Sequence, residues 1–172
     1  MIFYTALMAV MLLSAPQEDQ TSVQPEGSMP KACETIETTI TGKSMQGLLW
    51  NRQKITVYRP SCGEAQLYDY LLFTHKETPN AVVKQLWGRP GDILAVLPTG
   101  HFTVNGVKAL TPFKKPYKLM GAYRTKFKKI QGPIEGYLVL GHPGSLDSAR
   151  VGIIPEKDIL GYVKRAEPYK AD

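Results

Sequence analysis

Residues 81–92 read AVVKQLWGRPGD and join a β-strand pattern to a turn pattern. The first part is rich in valine and ends in Leu-Trp, which is typical of a strand, and residues 88–92 (GRPGD) predict the turn that ends it. Val82, Lys84 and Leu86 share one face of a regular strand, because side chains alternate between faces. Lys84 therefore has apolar neighbours, which disfavour a charged amine. The alternative is an edge-strand lysine that faces solvent.

Short runs of the same kind continue through most of the chain and predict a mainly β fold. Turn-forming residues separate them, and Asn105-Gly106 between two apolar runs is a strong hairpin signal. No long amphipathic helix pattern is present. We therefore expect a compact antiparallel assembly with partly barrel-like sheets. The predicted strands cover residues 34–40, 54–59, 67–75, 80–88, 92–98, 101–110 and 136–141.

The beginning of the chain differs in composition from the rest. Of the 172 residues, 43% are hydrophobic and 21% are charged, a globular composition, but residues 1–15 (MIFYTALMAVMLLSA) contain no charged side chain. As a helix they would span about 22 Å, less than a bilayer core of about 30 Å. They indicate a short membrane anchor or a secretory signal, with a buried element of the domain as the alternative. Residues 16–33 are predicted to be a polar linker, and residues 34–172 a β-rich domain.

Residues 108–131 form a segment that is strongly basic, in a chain of net charge +6. Eight lysines and arginines lie between Lys108 and Lys129 without an aspartate or glutamate, and four aromatic residues are interleaved. This composition is typical of a surface that contacts anionic lipid headgroups, and also of a groove for single-stranded nucleic acid. A solvated, flexible insertion is the third alternative. The apolar N-terminus favours the anionic membrane surface, so no nucleic-acid partner is expected.

The cysteines and histidines do not form a metal-binding pattern. Cys33 and Cys62 are not spaced like zinc ligands, and the sequence leaves open whether they form one disulfide or remain free thiols. His75, His101 and His142 are scattered, and each is most simply a surface or turn residue. The sequence therefore shows no metal-ligand cluster.

The stretch Thr38–Trp50 (TTITGKSMQGLLW) contains the candidate nucleophile. A strand-like run breaks at Gly42 and presents Ser44 before the chain becomes apolar again. A serine hydroxyl needs a base to remove its proton, and the chain has neither an evident Ser-His-Asp set nor a G-x-S-x-G motif. A lysine that is neutral because it is buried can supply that base. Lys84 is the lysine whose sequence neighbours fit this requirement best.

Five segments, taken in order, resemble the conserved boxes of the type I signal peptidases, a family of Ser/Lys proteases. The segment with Lys84 is the most specific single match, since a lysine is followed there by Gly-x-Pro-Gly-Asp. The ordered set covers nearly all of the chain from Thr38 to Arg165. The segments are Gly42-Lys43-Ser44-Met45 with Leu49, residues 69–73 (DYLLF), residues 83–92 (VKQLWGRPGD), Val104-Asn105-Gly106, and residues 141–148 with Gly152, Pro155 and Gly161.

This resemblance implies a set of residue roles. Ser44 would attack the scissile carbonyl, with its own backbone N–H in the oxyanion hole, and neutral Lys84 would take its proton. Met45 would line the substrate side. Ser145 would hold the lysine amine, and Asp147 would be a structural carboxylate that normally pairs with a nearby arginine.

The resemblance also implies a substrate and a location. The substrates would be exported preproteins with small residues at positions −1 and −3. The enzyme would be anchored in a membrane, with its catalytic domain on the exported side and without a metal or cofactor. The fold would be mostly antiparallel β.

The sequence departs from the family pattern at several positions. Gly42 stands where many members carry a hydroxyl that completes the oxyanion hole. Ala149 occupies the position of the usual arginine and leaves Arg150 one step further along, which reverses the face of a strand. The short segment at residues 141–148 resembles the branch of the family that processes pilins for conjugative transfer. The alternatives are therefore a dedicated pilin peptidase and a non-catalytic, exported β-rich binding domain.

Overall fold

The computed structural model describes residues 32–166. The apolar segment predicted at residues 1–15 and nearly all of the linker predicted at residues 16–33 lie outside the described residues. Within them the chain folds into two antiparallel sheets, neither of which closes into a barrel, so the mainly β prediction is confirmed. None of the helices in residues 32–166 is both long enough and apolar enough to span a bilayer.

The larger sheet has six strands in the order β1-β2-β10-β3-β4-β9. Two of its interior strands, β3 and β4, carry apolar side chains that pack in the core, and Leu71, Phe73 and Leu86 are 0–1% exposed. This rigid centre positions the side chains of β4. The strands are β1 (Thr35–Thr39), β2 (Lys54–Tyr58), β3 (Tyr70–His75), β4 (Thr78–Gly88), β9 (Leu138–Leu140) and β10 (Ile159–Val163).

The smaller sheet has four strands in the order β7-β6-β5-β8. The predicted hairpin at Asn105-Gly106 is present between β6 and β7. Both turn residues have positive φ angles, 50° and 79°, as the tight hairpin turn requires. The strands are β5 (Ile93–Val96), β6 (Phe102–Val104), β7 (Val107–Lys108) and β8 (Gly132–Pro133).

The basic segment is folded, which the alternative of a flexible insertion did not predict. It contains the helix α1 (Gly121–Lys129), which the sequence patterns did not indicate. Tyr117, Leu119 and Phe127 from this segment are buried in the core above the smaller sheet. A second short helix, α2 (Ser148–Val151), follows β9.

Cys33 and Cys62 form a disulfide. It joins the chain just before β1 to the 3-10 turn Pro60–Cys62 that follows β2. Of the two alternatives from the sequence, one bridge rather than two free thiols is therefore correct. The strand β1 is exposed along its whole length and pairs only with β2 among the described strands, so the bridge secures an edge strand that has little burial of its own.

Opening this disulfide should destabilise the domain by about 2–4 kcal/mol, because the bridge closes a long loop in the unfolded chain. The cysteines are 29 positions apart. The change is Cys33→Ser with Cys62→Ser, and urea unfolding gives the free energy. Wild-type protein under reducing conditions is the matched control and should lose the same amount. Equal free energies for all three samples would contradict this contribution.

Candidate active site

Ser44 lies in a closed loop between β1 and β2. The loop is pinned at its base, where the Ile40 N–H donates to the Gln53 carbonyl at 2.9 Å. Inside the loop, the Leu49 N–H donates to the Met45 carbonyl at 2.9 Å, and both side chains are buried in the core. These contacts hold Ser44 half-buried with its hydroxyl directed at β4.

Lys84 reaches Ser44 from the middle of β4. Its side chain is 2% exposed, so the alternative of a solvent-facing edge lysine is wrong. The Lys84 Nζ lies 2.7 Å from the Ser44 Oγ and 2.9 Å from the Val83 carbonyl oxygen. Two residues 40 positions apart in the sequence are thus in hydrogen-bond contact.

Gly141, which follows β9, makes room for the stem of Lys84. A Cβ atom at this position would lie 2.7 Å from the Lys84 Cδ and 2.8 Å from the Ser145 Oγ. Real Cβ atoms do not approach other atoms so closely, so the lysine stem runs over the bare backbone of the glycine. The glycine therefore fixes where the amine lies.

Asp147 is fully buried beside this point and is held by several donors. Its Oδ2 accepts hydrogen bonds from the Gly141 N–H at 3.0 Å and from the Tyr117 hydroxyl at 2.9 Å. Its Oδ1 accepts from the Ala149 N–H at 3.1 Å, which caps α2. The Ser145 hydroxyl lies 3.5 Å from Oδ2. No hydrogen bond joins Ser145 to the lysine amine among residues 32–166.

The partner of Asp147 is Tyr117 and not Arg150. Arg150 instead forms an ion pair with Glu77, at 2.7 Å, near the start of β4. The sequence left the partner of the carboxylate open, and it gave no signal for Tyr117, which stood out only as one aromatic residue in the basic segment. A tyrosine hydroxyl from the segment between β7 and α1 thus pairs with the carboxylate, where the resemblance implied an arginine.

Burial controls the protonation of the site. Desolvation lowers the pKa of the Lys84 amine from 10.5 to about 8, against the opposing charge of Asp147. Desolvation also raises the pKa of the Asp147 carboxyl, while the hydrogen bonds from Gly141 and Tyr117 and the charge of Lys84 oppose that rise. A substantial fraction of Lys84 is therefore neutral near pH 8, and a neutral amine next to a hydroxyl can accept its proton.

His142 joins the two loops of the site, a role that the sequence did not indicate. The backbone N–H of His142 donates to the Ser44 carbonyl at 2.9 Å, and the ring Nε2 lies 2.8 Å from the Gln46 carbonyl oxygen. The ring of Phe113 packs on its imidazole with 4.4 Å between centroids. His142 thus lies in a turn, as one of the two expected alternatives predicted, and it also links the two loops of the site.

A groove of about 780 Å³ opens at the serine and the lysine. Ser44, Met45 and Lys84 line it, and most of its other walls come from β1, β2 and the first half of β4. Besides Met45, the apolar lining residues are Ile36, Ile40, Ile55, Val57, Leu72, Ala81, Val82, Val83 and Leu146. In the part of the chain that the structure describes, no cluster of histidine, cysteine, aspartate or glutamate could hold a metal ion.

Comparison with known proteins places these features in one family. The family model described as "Signal peptidase, peptidase S26" matches residues 30–166, which include both sheets and every residue of the site. No curated protein sequence matches the chain significantly. Since the matched region covers well over half of the chain, the protein belongs to the signal peptidase family, peptidase S26.

Proposed function

We propose that this peptidase of the signal peptidase kind is a serine endopeptidase that removes signal peptides from exported preproteins with a Ser44–Lys84 dyad. The observation that carries the proposal is the 2.7 Å contact between the Ser44 Oγ and a Lys84 amine that is 2% exposed. A buried amine next to a hydroxyl contributes little to the stability of the fold, because burial destabilises the charged form of the amine.

In the proposed reaction, Lys84 carries a proton from the Ser44 hydroxyl to the leaving amine. Neutral Lys84 accepts the hydroxyl proton as the Ser44 Oγ attacks the scissile carbonyl carbon, which gives a tetrahedral oxyanion and an ammonium. The ammonium then donates this proton to the nitrogen of the leaving amine as the peptide C–N bond breaks. In the second half, Lys84 takes a proton from water as the water oxygen attacks the ester carbon, which gives a second tetrahedral oxyanion. The bond from this carbon to the Ser44 Oγ then breaks, the new carboxyl end of the product leaves, and Lys84 returns the proton to the Ser44 Oγ.

The oxyanion requires donors that are not already occupied. The Ser44 N–H donates to no other residue in the described region, so it supports the proposed oxyanion hole. The Gly42 N–H donates to the Asn51 side chain at 3.0 Å, and glycine offers no hydroxyl. The hydroxyl of Thr41, which lines the groove, is the candidate for a second donor.

The groove suits an extended peptide. β9 pairs only with the last part of β4, from Gln85 onward, so residues 78–83 of β4 have a strand partner only on the β3 side among the described strands. Such an edge can bind a peptide by main-chain hydrogen bonds. In our proposal Met45 lines the substrate side, and the substrates carry small residues at −1 and −3.

Ser145 and Asp147 have supporting roles in this proposal. The Ser145 Oγ and the Lys84 Cδ both lie within 3 Å of the same point above Gly141, so the hydroxyl borders the lysine stem. The Asp147 carboxylate is fixed by donors on both oxygens. Together they keep the amine directed at the serine.

The proposed organisation is an anchor at residues 1–15, a linker at residues 16–33 and a catalytic domain at residues 34–172 on the exported side of a membrane. The disulfide Cys33–Cys62 supports the exported location, because such bonds persist in oxidising compartments. One specific observation favours a dedicated pilin peptidase as the second candidate. The segment at residues 141–148 is short, and Ala149 stands where the usual arginine would follow.

Purified full-length protein in detergent should cut a preprotein immediately after an Ala-x-Ala junction, with the products identified by mass spectrometry. Ser44→Ala removes the nucleophile and Lys84→Met removes the base while keeping an apolar stem, so each should lower the rate by at least about 10³-fold. Lys43→Met is the matched control, because it removes an exposed lysine next to the nucleophile, and it should cut normally.

Two results would contradict the dyad. Cleavage by Ser44→Ala at the wild-type rate would exclude this serine, and the same result for Lys84→Met would exclude the lysine. If folded wild-type protein cuts no general preprotein but cuts a conjugative prepilin, the second candidate is correct. If it cuts neither, the non-catalytic binding domain is the better account.

We also propose that the basic segment contacts an anionic membrane surface. Phe113 is 55% exposed although its ring packs on His142 beside the catalytic loop, and Lys114 and Lys115 follow it directly and are exposed. An aromatic ring with adjacent lysines is typical of a surface that lies at a lipid interface. This contact would bring the groove close to substrates that emerge from the membrane.

Replacing Lys114 and Lys115 with glutamate should slow cleavage of a membrane-embedded preprotein in vesicles that contain anionic lipid. Each lysine near such a surface contributes about 1 kcal/mol of attraction. Rates in neutral vesicles should not change. Lys76→Glu with Lys157→Glu is the control of equal charge and should cut like the wild type in both vesicles. If both pairs of substitutions slow cleavage equally in anionic vesicles, the effect comes from the net charge of the protein, and a specific contact by the basic segment is contradicted.

A further inference from the structure

Tyr117 is held rigidly in the core between β7 and α1. Its side chain is 1% exposed, and its ring packs edge-on against Phe102 with 5.6 Å between centroids. Its N–H donates to the Ala109 carbonyl at 2.8 Å, and its own carbonyl oxygen lies 3.0 Å from the His101 Nδ1. The position of the phenol oxygen is therefore set by the smaller sheet.

That oxygen points at the buried carboxylate near the reacting groups. The Tyr117 hydroxyl donates to the Asp147 Oδ2 at 2.9 Å, and the same Oδ2 accepts from the Gly141 N–H at 3.0 Å. Gly141 is the residue over which the stem of Lys84 runs, with no space for a side chain. A continuous set of contacts thus leads from the tyrosine to the amine that touches Ser44.

We propose that Tyr117 is a positioning residue for this reaction: its hydroxyl holds Asp147 against the Gly141 backbone and thereby fixes the amine of Lys84 at Ser44. The inference rests on the proposed function and adds a residue that lies outside the groove. It gives the basic segment a second role, since the part of this segment between β7 and α1 supplies a hydrogen-bond donor to the site.

Packing alone does not explain why residue 117 carries a hydroxyl group. A phenylalanine would fill the same space between Phe102 and the core, whereas a buried hydroxyl is costly unless it is hydrogen-bonded. Asp147 is 0% exposed and has no arginine, because Arg150 is paired with Glu77. Tyr117 supplies the only side-chain donor within 3.0 Å of this carboxylate among the described residues.

Among the described residues, few titratable groups act on the hydrogen bond between Tyr117 and Asp147. Asp147 faces Lys84 on β4 and the Tyr117 phenol, and the phenol also faces Tyr123 on α1. Burial raises the pKa of the Asp147 carboxyl, and the Tyr117 hydrogen bond counters this rise. Removal of the hydroxyl should therefore raise the pKa of the carboxyl further.

The test compares Tyr117→Phe with Tyr123→Phe, which removes the hydroxyl of a half-exposed tyrosine in the same segment. The first measurement is the pKa of the Asp147 carboxyl, from its carbon NMR signal in substrate-free full-length protein. The pKa should rise in Tyr117→Phe and stay at the wild-type value in Tyr123→Phe. This measurement needs no turnover, so it is independent of the proposed function.

The second measurement is preprotein cleavage below the melting temperature of every variant. Tyr117→Phe should lower kcat about tenfold and leave KM within about twofold, since Tyr117 does not line the groove. The double variant Tyr117→Phe with Asp147→Asn should be no slower than Asp147→Asn alone, because the two residues act as a unit. A merely structural tyrosine would instead lower the rate by the same factor in both backgrounds.

Three outcomes would overturn the inference. They are an unchanged carboxyl pKa in Tyr117→Phe, an unchanged kcat in that variant, and multiplicative losses in the double variant. Failure of the wild type to cut any preprotein would instead refute the proposed function, and it would remove the positioning role with it. In that case the carboxyl measurement alone would decide whether the Tyr117–Asp147 hydrogen bond exists.

Discussion

The exclusion of water from one lysine amine is the constraint on which the site depends. Lys84 lies on an interior strand and is 2% exposed, and its pKa is lowered from 10.5 to about 8 because the effect of burial exceeds the opposing charge of Asp147. The difference corresponds to roughly 3 kcal/mol against the charged form in the folded protein. This cost is fully present below pH 8. Between about pH 8 and 10.5 the folded protein has released a proton that the unfolded chain keeps, so this group's contribution to stability rises with pH.

The rest of the domain holds this unfavourable arrangement in place. β3 and β9 flank Lys84 on the larger sheet, and the loop with Ser44 is joined through His142 to the segment after β9. Gly141 lets the lysine stem pass, and Asp147 fixes the backbone of Gly141. Tyr117, from the segment between β7 and α1, then donates a hydrogen bond to the carboxylate. In our proposal, contacts from both parts of the domain thus position one amine next to one hydroxyl.

The sequence predicted the parts of this arrangement that depend on local pattern. Alternation of apolar residues placed Lys84 in a strand, the break at Gly42 placed Ser44 in a loop, and Asn105-Gly106 predicted its hairpin. Each of these signals lies within about ten residues of chain. The resemblance of ordered segments brought Ser44 and Lys84 together, which no local pattern could do.

The features that the sequence did not predict depend on contacts between distant parts of the chain. The Tyr117–Asp147 hydrogen bond joins residues 30 positions apart, and a tyrosine in a basic segment has no pattern that marks its partner. β10 was missed as well, because Gly161 interrupts its apolar run. That glycine packs against the Tyr58 backbone, so its role is visible only in the folded sheet. The pairing of Cys33 with Cys62 likewise depends on the fold, because the sequence does not fix the distance between them.

The most direct test of this account is the pKa of the Lys84 amine in the substrate-free protein. Full-length protein with isotope-labelled lysine in detergent would be titrated by NMR, with Lys84→Met to assign the signal. The account predicts a midpoint near 8, well below the ordinary 10.5, because burial disfavours the ammonium. A midpoint near 10.5 would mean that the amine stays charged at neutral pH, and it would contradict the claim that Lys84 is a base for Ser44.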